Sequence, residues 1–483
     1  MLNSSSHKLL YMNINRDVLG KLFFAVSILI GVYMLACPIS HVLIHVDEYW
    51  TLSLINLPFI EGMRIAISDV HPPLHYIILY ALSPITSNDI YLLKVSSIVP
   101  YFIILAISAT KIRKDYGWLT SGIFAFTIAT MSIFFIEFLT VRMYPWATLF
   151  MILVFICFRE VIVNFDRKSW ILLTLFTLLA CYTHYFMLFT CGLIYLMILV
   201  SILKIPDNRQ KIKVWTYSVI ALAVLYAPWL VVLIRQIGTQ TSTTHEPTAL
   251  TNVFSYLTFF AINSTSSNLE MTLLRILAIV FVAIVLGLIY KNRGKYEASG
   301  VFLMYATVII GIAILAVSFQ PLRSRYLVGA IAIFWLSVSI LLGKIDNNKI
   351  LAVLLAMILV FSAASILTTH ENAIEKIKWA NERDEFLKSI NNESTVVVYN
   401  TNFGYMFIHG GVNHTSEYSL SDTYFFDDNV NITKDLGKIV KKHPKDNVYL
   451  VNWKGADKNK KYEKEFKLSE KYDSDDVVVC RIN

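Results

Sequence analysis

The chain has 483 residues, 56% of them apolar and 16% charged, and a formal net charge of +8. That apolar load exceeds what one water-soluble core encloses, so a bilayer has to supply part of the solvent. The excess Lys and Arg sit mainly in short segments between apolar runs, a pattern of membrane topology that speaks against nucleic acid as a partner.

In chain order, apolar runs begin near Leu19, Ile90, Trp118, Pro145, Trp170, Met187, Trp215, Met271, Gly300, Tyr326 and Ile350. At a rise of about 1.5 Å per residue each is long enough to cross the hydrocarbon core. The expectation is a polytopic α-helical membrane protein with about eleven transmembrane helices. The first run follows Lys8 and Arg16 without a small-residue cleavage site and reads as a retained span. A further apolar segment, residues 74–85, is the length of a re-entrant or interfacial piece.

Charge decides whether that short segment crosses. If it does not, Lys111, Arg113 and Lys114, then Arg167 and Lys168, Lys204 to Lys213, Lys291 to Lys295, and Lys344 with Lys349 all share the side of the N-terminus. If it does, the Lys111 cluster moves to the opposite side. The positive-inside rule selects the first arrangement, with the N-terminus cytoplasmic and the chain after Leu367 extracytoplasmic.

Two domains are expected: a membrane domain over residues 1–367 and a soluble extracytoplasmic domain over 368–483. The second opens with residues 371–391, where Ile374, Ile377, Phe386, Leu387 and Ile390 approximate one helix face. Runs at 395–399, 448–451 and 477–479 read as strands and 436–441 as a helix, which predicts a small α/β module. Cys37, Cys157, Cys181 and Cys191 lie in or beside apolar runs and Cys480 stands alone in the tail, so no disulfide framework or zinc motif is indicated.

With this orientation the unusual polar residues collect near the outer boundary: Asp47, Glu48, Asp69, His71, His75, Lys94, Glu137, Arg142, Tyr144, His184, Tyr185, Arg323, Arg325 and Tyr326. Taken singly, each has a bland reading, because boundary charges snorkel and Tyr or Trp form interfacial belts. Taken together they mark a site, since ionisable groups at that depth are costly unless hydrated, paired or functional. Asp47 and Glu48 close the first span in an apolar setting that favours a raised carboxylate pKa and a general-base role. The Asp-Val-His-Pro-Pro-Leu segment at 69–74 is a rigid corner, because the two prolines stop a preceding helix and hold His71 at the entry to the short segment.

Asp47-Glu48 followed by that His-Pro-Pro-Leu corner resembles the protein O-mannosyltransferases and the aminoarabinose transferases of bacterial lipid A, members of the GT-C superfamily. Glu137 to Pro145 resembles their Arg-bearing outer loop. Thr183-His184-Tyr185 is similar to their Thr-His-Tyr span end, and Arg323-Ser-Arg-Tyr326 to their late Arg-Tyr element. Three features depart from the pattern: Val70 stands where the aminoarabinose transferases carry a glutamate, Lys94 where relatives often place an arginine, and the tail lacks the repeat modules of eukaryotic mannosyltransferases.

The resemblance implies a GT-C fold and transfer of a sugar from a polyprenyl-phosphate monosaccharide to a lipid, glycan or protein acceptor at the outer membrane face. Asp47 is then the general base and Glu48 its partner. Arg142 and Arg325, with Lys94 and Arg323, bind the donor phosphate. Asp69, His71, Tyr144, His184 and Tyr326 are expected substrate contacts. No cofactor is expected; a divalent metal is compatible with Asp47, Glu48, Asp69 and His71, but their order is not a recognised ligand spacing. Competing readings are a lipid or sugar transporter or flippase without transferase chemistry, an inactive relative, and an enzyme moving a whole lipid-linked oligosaccharide. The absence of an inverted repeat and of charges strung through mid-membrane weighs against transport.

Overall fold

The structure is a computed structural model, and it describes residues 15–36, 46–68, 71–87, 89–239, 253–263, 268–291, 297–317, 323–390, 395–399, 416–419, 430–432, 436–453, 466–473 and 477–482. The chain divides into two compact units, Met1–Cys37 with Met63–Thr369, and Pro38–Gly62 with His370–Asn483.

The helices in chain order are α1 (Arg16–Ala36), α2 (Val46–Ile55), α3 (Phe59–Ser68), α4 (Leu74–Thr86), α5 (Ile90–Ile107), α6 (Arg113–Thr130), α7 (Ser132–Phe138) and α8 (Tyr144–Asn164). They continue with α9 (Arg167–Thr183), α10 (Phe186–Leu203), α11 (Arg209–Thr239), α12 (Val253–Thr258), α13 (Leu269–Lys291), α14 (Glu297–Val317), α15 (Val328–Gly343), α16 (Asn348–Ile390) and α17 (Leu436–Lys442). Each expected apolar run falls on one of these, on α1, α5, α6, α8 to α11 or α13 to α16. Eight helical stretches among the described residues are long and apolar enough to cross a membrane, with Leu92–Thr130 taken as one.

That 39-residue stretch doubles back on itself. A π-helical turn over Ser108–Ile112 is followed by Gly117 at φ +86° and ψ 174°, a backbone region that a side chain does not tolerate. The turn brings Ser121 beside Ser108, and each hydroxyl donates to the other's carbonyl, at 2.9 and 2.7 Å. The short α4 carries Pro84 and ends at Ser87 in the left-handed region. Its 13 residues span about 20 Å at the helical rise, less than the roughly 30 Å of hydrocarbon.

The centre of the first unit is α15, whose residues from Val328 to Leu342 are all buried, as a helix apolar on every side must be. Small residues let neighbours approach it and one another closely. A Cβ at Gly300 would fall 2.2 Å from the Ser337 hydroxyl, one at Gly343 2.1 Å from that of Thr120, and one at Gly122 2.0 Å from the Gly20 carbonyl.

Basic residues gather at one end of this helical body. Arg16 donates to the Ile345 carbonyl at 2.6 Å and to the Asn348 side chain at 3.0 Å, while Lys111 bridges Asp115, at 2.9 Å, and Glu160. Lys21 and Arg113 lie over the Trp118 ring, Arg159 over Tyr116 and Lys211 over Phe165. These ties join the start of α1, the α5–α6 turn, the α8–α9 link and the α15–α16 link.

In the second unit, β1 (Thr395–Tyr399), β2 (Ser416–Ser419), β3 (Val430–Ile432), β4 (Asn447–Trp453), β5 (Leu468–Asp473) and β6 (Val477–Ile482) form one sheet of order β3-β2-β1-β4-β6-β5. The β3, β2, β1 and β4 strands are parallel and β6 and β5 antiparallel additions. Val396, Val398, Val448 and Leu450 pack with Leu436 and Ile439 of α17. The alternation of β1 and β4 supplies the sheet's face and α17 covers it, which gives the α/β module expected from the sequence.

Candidate functional site

Helix ends build the site within the first unit. His71 precedes α4, Arg142 lies in the link from α7 to α8, and Tyr144 is the first residue of α8. His184 breaks the chain between α9 and α10, with extended φ/ψ of −155° and 135°, and Arg325 and Tyr326 occupy the 3-10 turn Ser324–Leu327 that leads into α15. Since α8 starts here and finishes at the α8–α9 link, the site lies at the opposite end of the helical body from the basic cluster.

The Arg142 guanidinium donates from Nη2 to Nε2 of His71 at 2.7 Å, which leaves the His71 proton on Nδ1. Nδ1 of His184 accepts the Phe186 N–H at 3.2 Å, which leaves its Nε2 as a donor. The His184 ring lies 6.3 Å from that of His71, 5.5 Å from Tyr144 and 5.7 Å from Tyr326, and the Arg325 guanidinium stands 5.7 Å from the Tyr144 ring centre. Arg142, Tyr144 and His184 are 3%, 1% and 4% exposed, so charge and imidazole are held in a space closed to bulk water.

Burial, then His71, Arg142 and Arg325, hold His184 well below its ordinary pKa of 6.5. It is therefore neutral at physiological pH and acts as a fixed donor. The Tyr144 hydroxyl is buried without a hydrogen-bond partner among the described residues, and Arg325, Arg142 and Glu137 are the charges acting on it. Two guanidiniums, two imidazoles and two phenols thus form one contiguous cluster of contacts. Such a donor-rich, cationic cluster has the chemistry to hold a phosphate oxyanion.

The other sequence candidates are placed differently. Lys94 is buried in α5, and Arg323 is exposed at the start of the 3-10 turn. Asp47 and Glu48 open α2 and belong to the second unit, where Glu48 is buried, Asp47 is partly exposed and the Asp47 carbonyl accepts the Thr51 hydroxyl at 2.9 Å. Asp69 lies outside the described residues. Among those residues no three His, Cys, Asp or Glu side chains come together as a metal site.

The sequence reading named Tyr185 but not its partners in α11, Trp229 and Gln236. Tyr185 donates to Gln236 and accepts from Trp229 Nε1 at 2.9 Å, and Gln236 donates to the Ile67 carbonyl at 2.8 Å. This chain of bonds ties α11 and α3 to the break that presents His184. An amide in the apolar run of α11 was the available signal.

No protein-family model matches the sequence, and no curated protein matches it significantly. Among solved structures, ArnT from Cupriavidus metallidurans bound to undecaprenyl phosphate superposes with a TM-score of 0.60 over 95% of this chain and 97% of that one, at 10% identity. This chain has a GT-C fold. The same protein in the apo state gives 0.57 at 9% identity over the same shares. The Archaeoglobus fulgidus oligosaccharyltransferase superposes at 0.43 and 11% identity, over 89% of this chain and 68% of that one. With its apolar helices and this fold, the chain is a multi-pass membrane protein.

Proposed function

We propose that this protein is a glycosyltransferase that moves a sugar from a polyprenyl-phosphate monosaccharide to a cell-envelope acceptor at the extracytoplasmic face of the membrane. The observation that carries the reading is the convergence of His71, Arg142, Tyr144, His184, Arg325 and Tyr326 at one end of a GT-C helical body. The ArnT neighbour was solved with undecaprenyl phosphate, a ligand whose phosphate suits that cluster. The positive-inside rule assigns the opposite, basic end to the cytoplasm, so the cluster faces outward.

The acceptor hydroxyl or amine attacks the anomeric carbon and the bond from that carbon to the lipid phosphate oxygen breaks. The acceptor proton goes to Asp47, oriented by Glu48, and the polyprenyl phosphate departs with the bonding electron pair. Arg142 and Arg325, aided by Lys94 and Arg323, stabilise charge growing on that phosphate. Asp69, His71, Tyr144, His184 and Tyr326 contact the donor. Direct displacement inverts the anomeric configuration.

The test is transfer of labelled sugar from a polyprenyl-phosphate donor by the purified protein in nanodiscs, with products read by mass spectrometry of lipids and glycans. Removing one preorganised charge at the leaving group costs about 3 kcal/mol or more, a hundredfold or greater loss. That loss is expected for Arg142→Ala, and a larger one for Asp47→Asn. Near-normal transfer by a folded Asp47→Asn protein removes its assignment as base, and no transfer by the wild type to any envelope fraction removes the transferase reading.

A further inference from the structure

A groove of about 740 Å³ runs along the outside of the helical body between α9 and α11, over the half of α9 remote from the candidate site. Its apolar walls include Ile171, Leu175 and Leu225, which are 55%, 45% and 53% exposed and so face hydrocarbon. At the other extreme it closes on Phe165, Arg167 and Trp170 at the basic end of the body.

The mouth is built to favour an anion. Phe165, in the left-handed region at φ 52°, turns the chain sharply from α8 into α9 and sets its ring edge-on to Trp170 at 5.5 Å. The Lys211 ammonium lies 5.1 Å from the centre of the Phe165 ring. Arg167 lines the mouth at the start of α9, and Lys211 stands in the first turn of α11, so two helix N-termini each bring a cation to it. Two acids flank these helix starts: Asp166 is engaged as the α9 cap, accepting the Ser169 N–H at 3.0 Å and the Ser169 hydroxyl at 2.5 Å, and Asp207 lies exposed two positions before Arg209.

A second observation points to a ligand. Trp170 lines the groove and is 4% exposed, yet its Nε1–H has no hydrogen-bond acceptor among the described residues. A buried indole donor in an apolar wall is costly without an acceptor, and an ester or phosphate oxygen at that depth supplies one. Deeper in the groove the Thr174 and Ser218 hydroxyls bond each other at 2.7 Å, and Ser218 also bonds the Tyr195 hydroxyl behind it at 2.9 Å, so these polar groups are satisfied without a ligand.

We infer that this groove is a binding site for an anionic glycerophospholipid of the leaflet at the basic end, with acyl chain along α9 and α11 and headgroup phosphate at Arg167 and Lys211. Basic pockets between transmembrane helices on the cytoplasmic side recognise anionic headgroups in this way. The lipid occupies a different leaflet from the one that the proposed donor enters, so the site is independent of the transfer reaction.

The experiment is native mass spectrometry of the full-length protein released from nanodiscs containing equal phosphatidylglycerol and phosphatidylcholine. Retention of phosphatidylglycerol is expected, reduced about fivefold in Arg167→Gln and similarly in the bulk-adding Ala221→Trp, which fills the groove without changing charge. Lys114→Gln, an exposed cation at the same end but outside the groove, leaves retention as in the wild type. Thermal unfolding of each variant in detergent shows whether it is folded, and if Arg167→Gln fails to fold, Trp170→Phe supplies the same test by removing the indole donor. Equal retention of the two lipids, displacement by inorganic phosphate, or full retention in folded Arg167→Gln and Ala221→Trp overturns the proposal.

Discussion

His184 shows how a single residue takes its properties from packing. In the folded protein its pKa is held well below 6.5 by burial and by His71, Arg142 and Arg325, whereas in the unfolded chain it titrates near 6.5. Between those two values the unfolded chain binds a proton that the native state refuses. The contribution of His184 to stability is therefore whole above about pH 6.5 and declines as pH falls toward the folded value. Melting temperatures measured from pH 7.5 down to 5.5 should fall in the wild type and fall less steeply in His184→Asn; identical slopes would refute the account. The sequence singled out His71, Arg142, Tyr144, His184, Arg325 and Tyr326, because charged and aromatic residues at span ends are conspicuous against apolar runs. Their pairing was not. Nothing in the spacing of His71 and Arg142, 71 positions apart, announces that one donates to the other.

At the scale of elements, the apolar runs predicted the long helices well, since the length of an uninterrupted run is itself the physical requirement for crossing. The link carrying Lys111, Arg113 and Lys114 marked a turn between the Ile90 and Trp118 runs, but its backbone geometry was not legible. The double-back at Gly117 depends on one residue adopting φ +86°, and the expected last span and the amphipathic segment after it prove to be one continuous helix, α16. In the tail, β1, β4, β6 and α17 were legible from β-branched runs and helical periodicity. The strands β2, β3 and β5 were not, because Ser-Glu-Tyr-Ser, Val-Asn-Ile and Leu-Ser-Glu-Lys-Tyr-Asp carry weak strand signals and are recruited by pairing with β1, with β2 and with β6 respectively. Helix pairing in the membrane body rests on close approach: a Cβ at Gly122 would meet the Gly20 backbone at 2.0 Å. Gly122→Leu should wedge α1 from α6 and cost on the order of 1–3 kcal/mol, read as a lowered melting temperature in detergent. A wild-type melting temperature would show that the two helices do not depend on this contact.

For the whole molecule, the functional reading depends on which way the helical body faces. The cluster of His71, Arg142, His184 and Arg325 lies at one end and the Arg16, Lys111, Arg113 and Arg167 end at the other, so the two ends should label from opposite sides of the membrane. In a cysteine-free background, Lys114→Cys should react with an impermeant thiol reagent only after the cytoplasmic face is opened, and Arg323→Cys should react in intact cells. The reverse pattern would place the His71, Arg142, His184 and Arg325 cluster in the cytoplasm and end the polyprenyl-donor proposal. By itself the sequence determined that the protein lives in a bilayer, where its spans fall and which residues are too costly to be idle, because hydrophobic length and the price of a buried charge are properties of the chain read locally. Only the tertiary structure decided which helix ends meet, which imidazole is neutral and where a groove opens between α9 and α11, because those follow from distances between residues far apart in sequence.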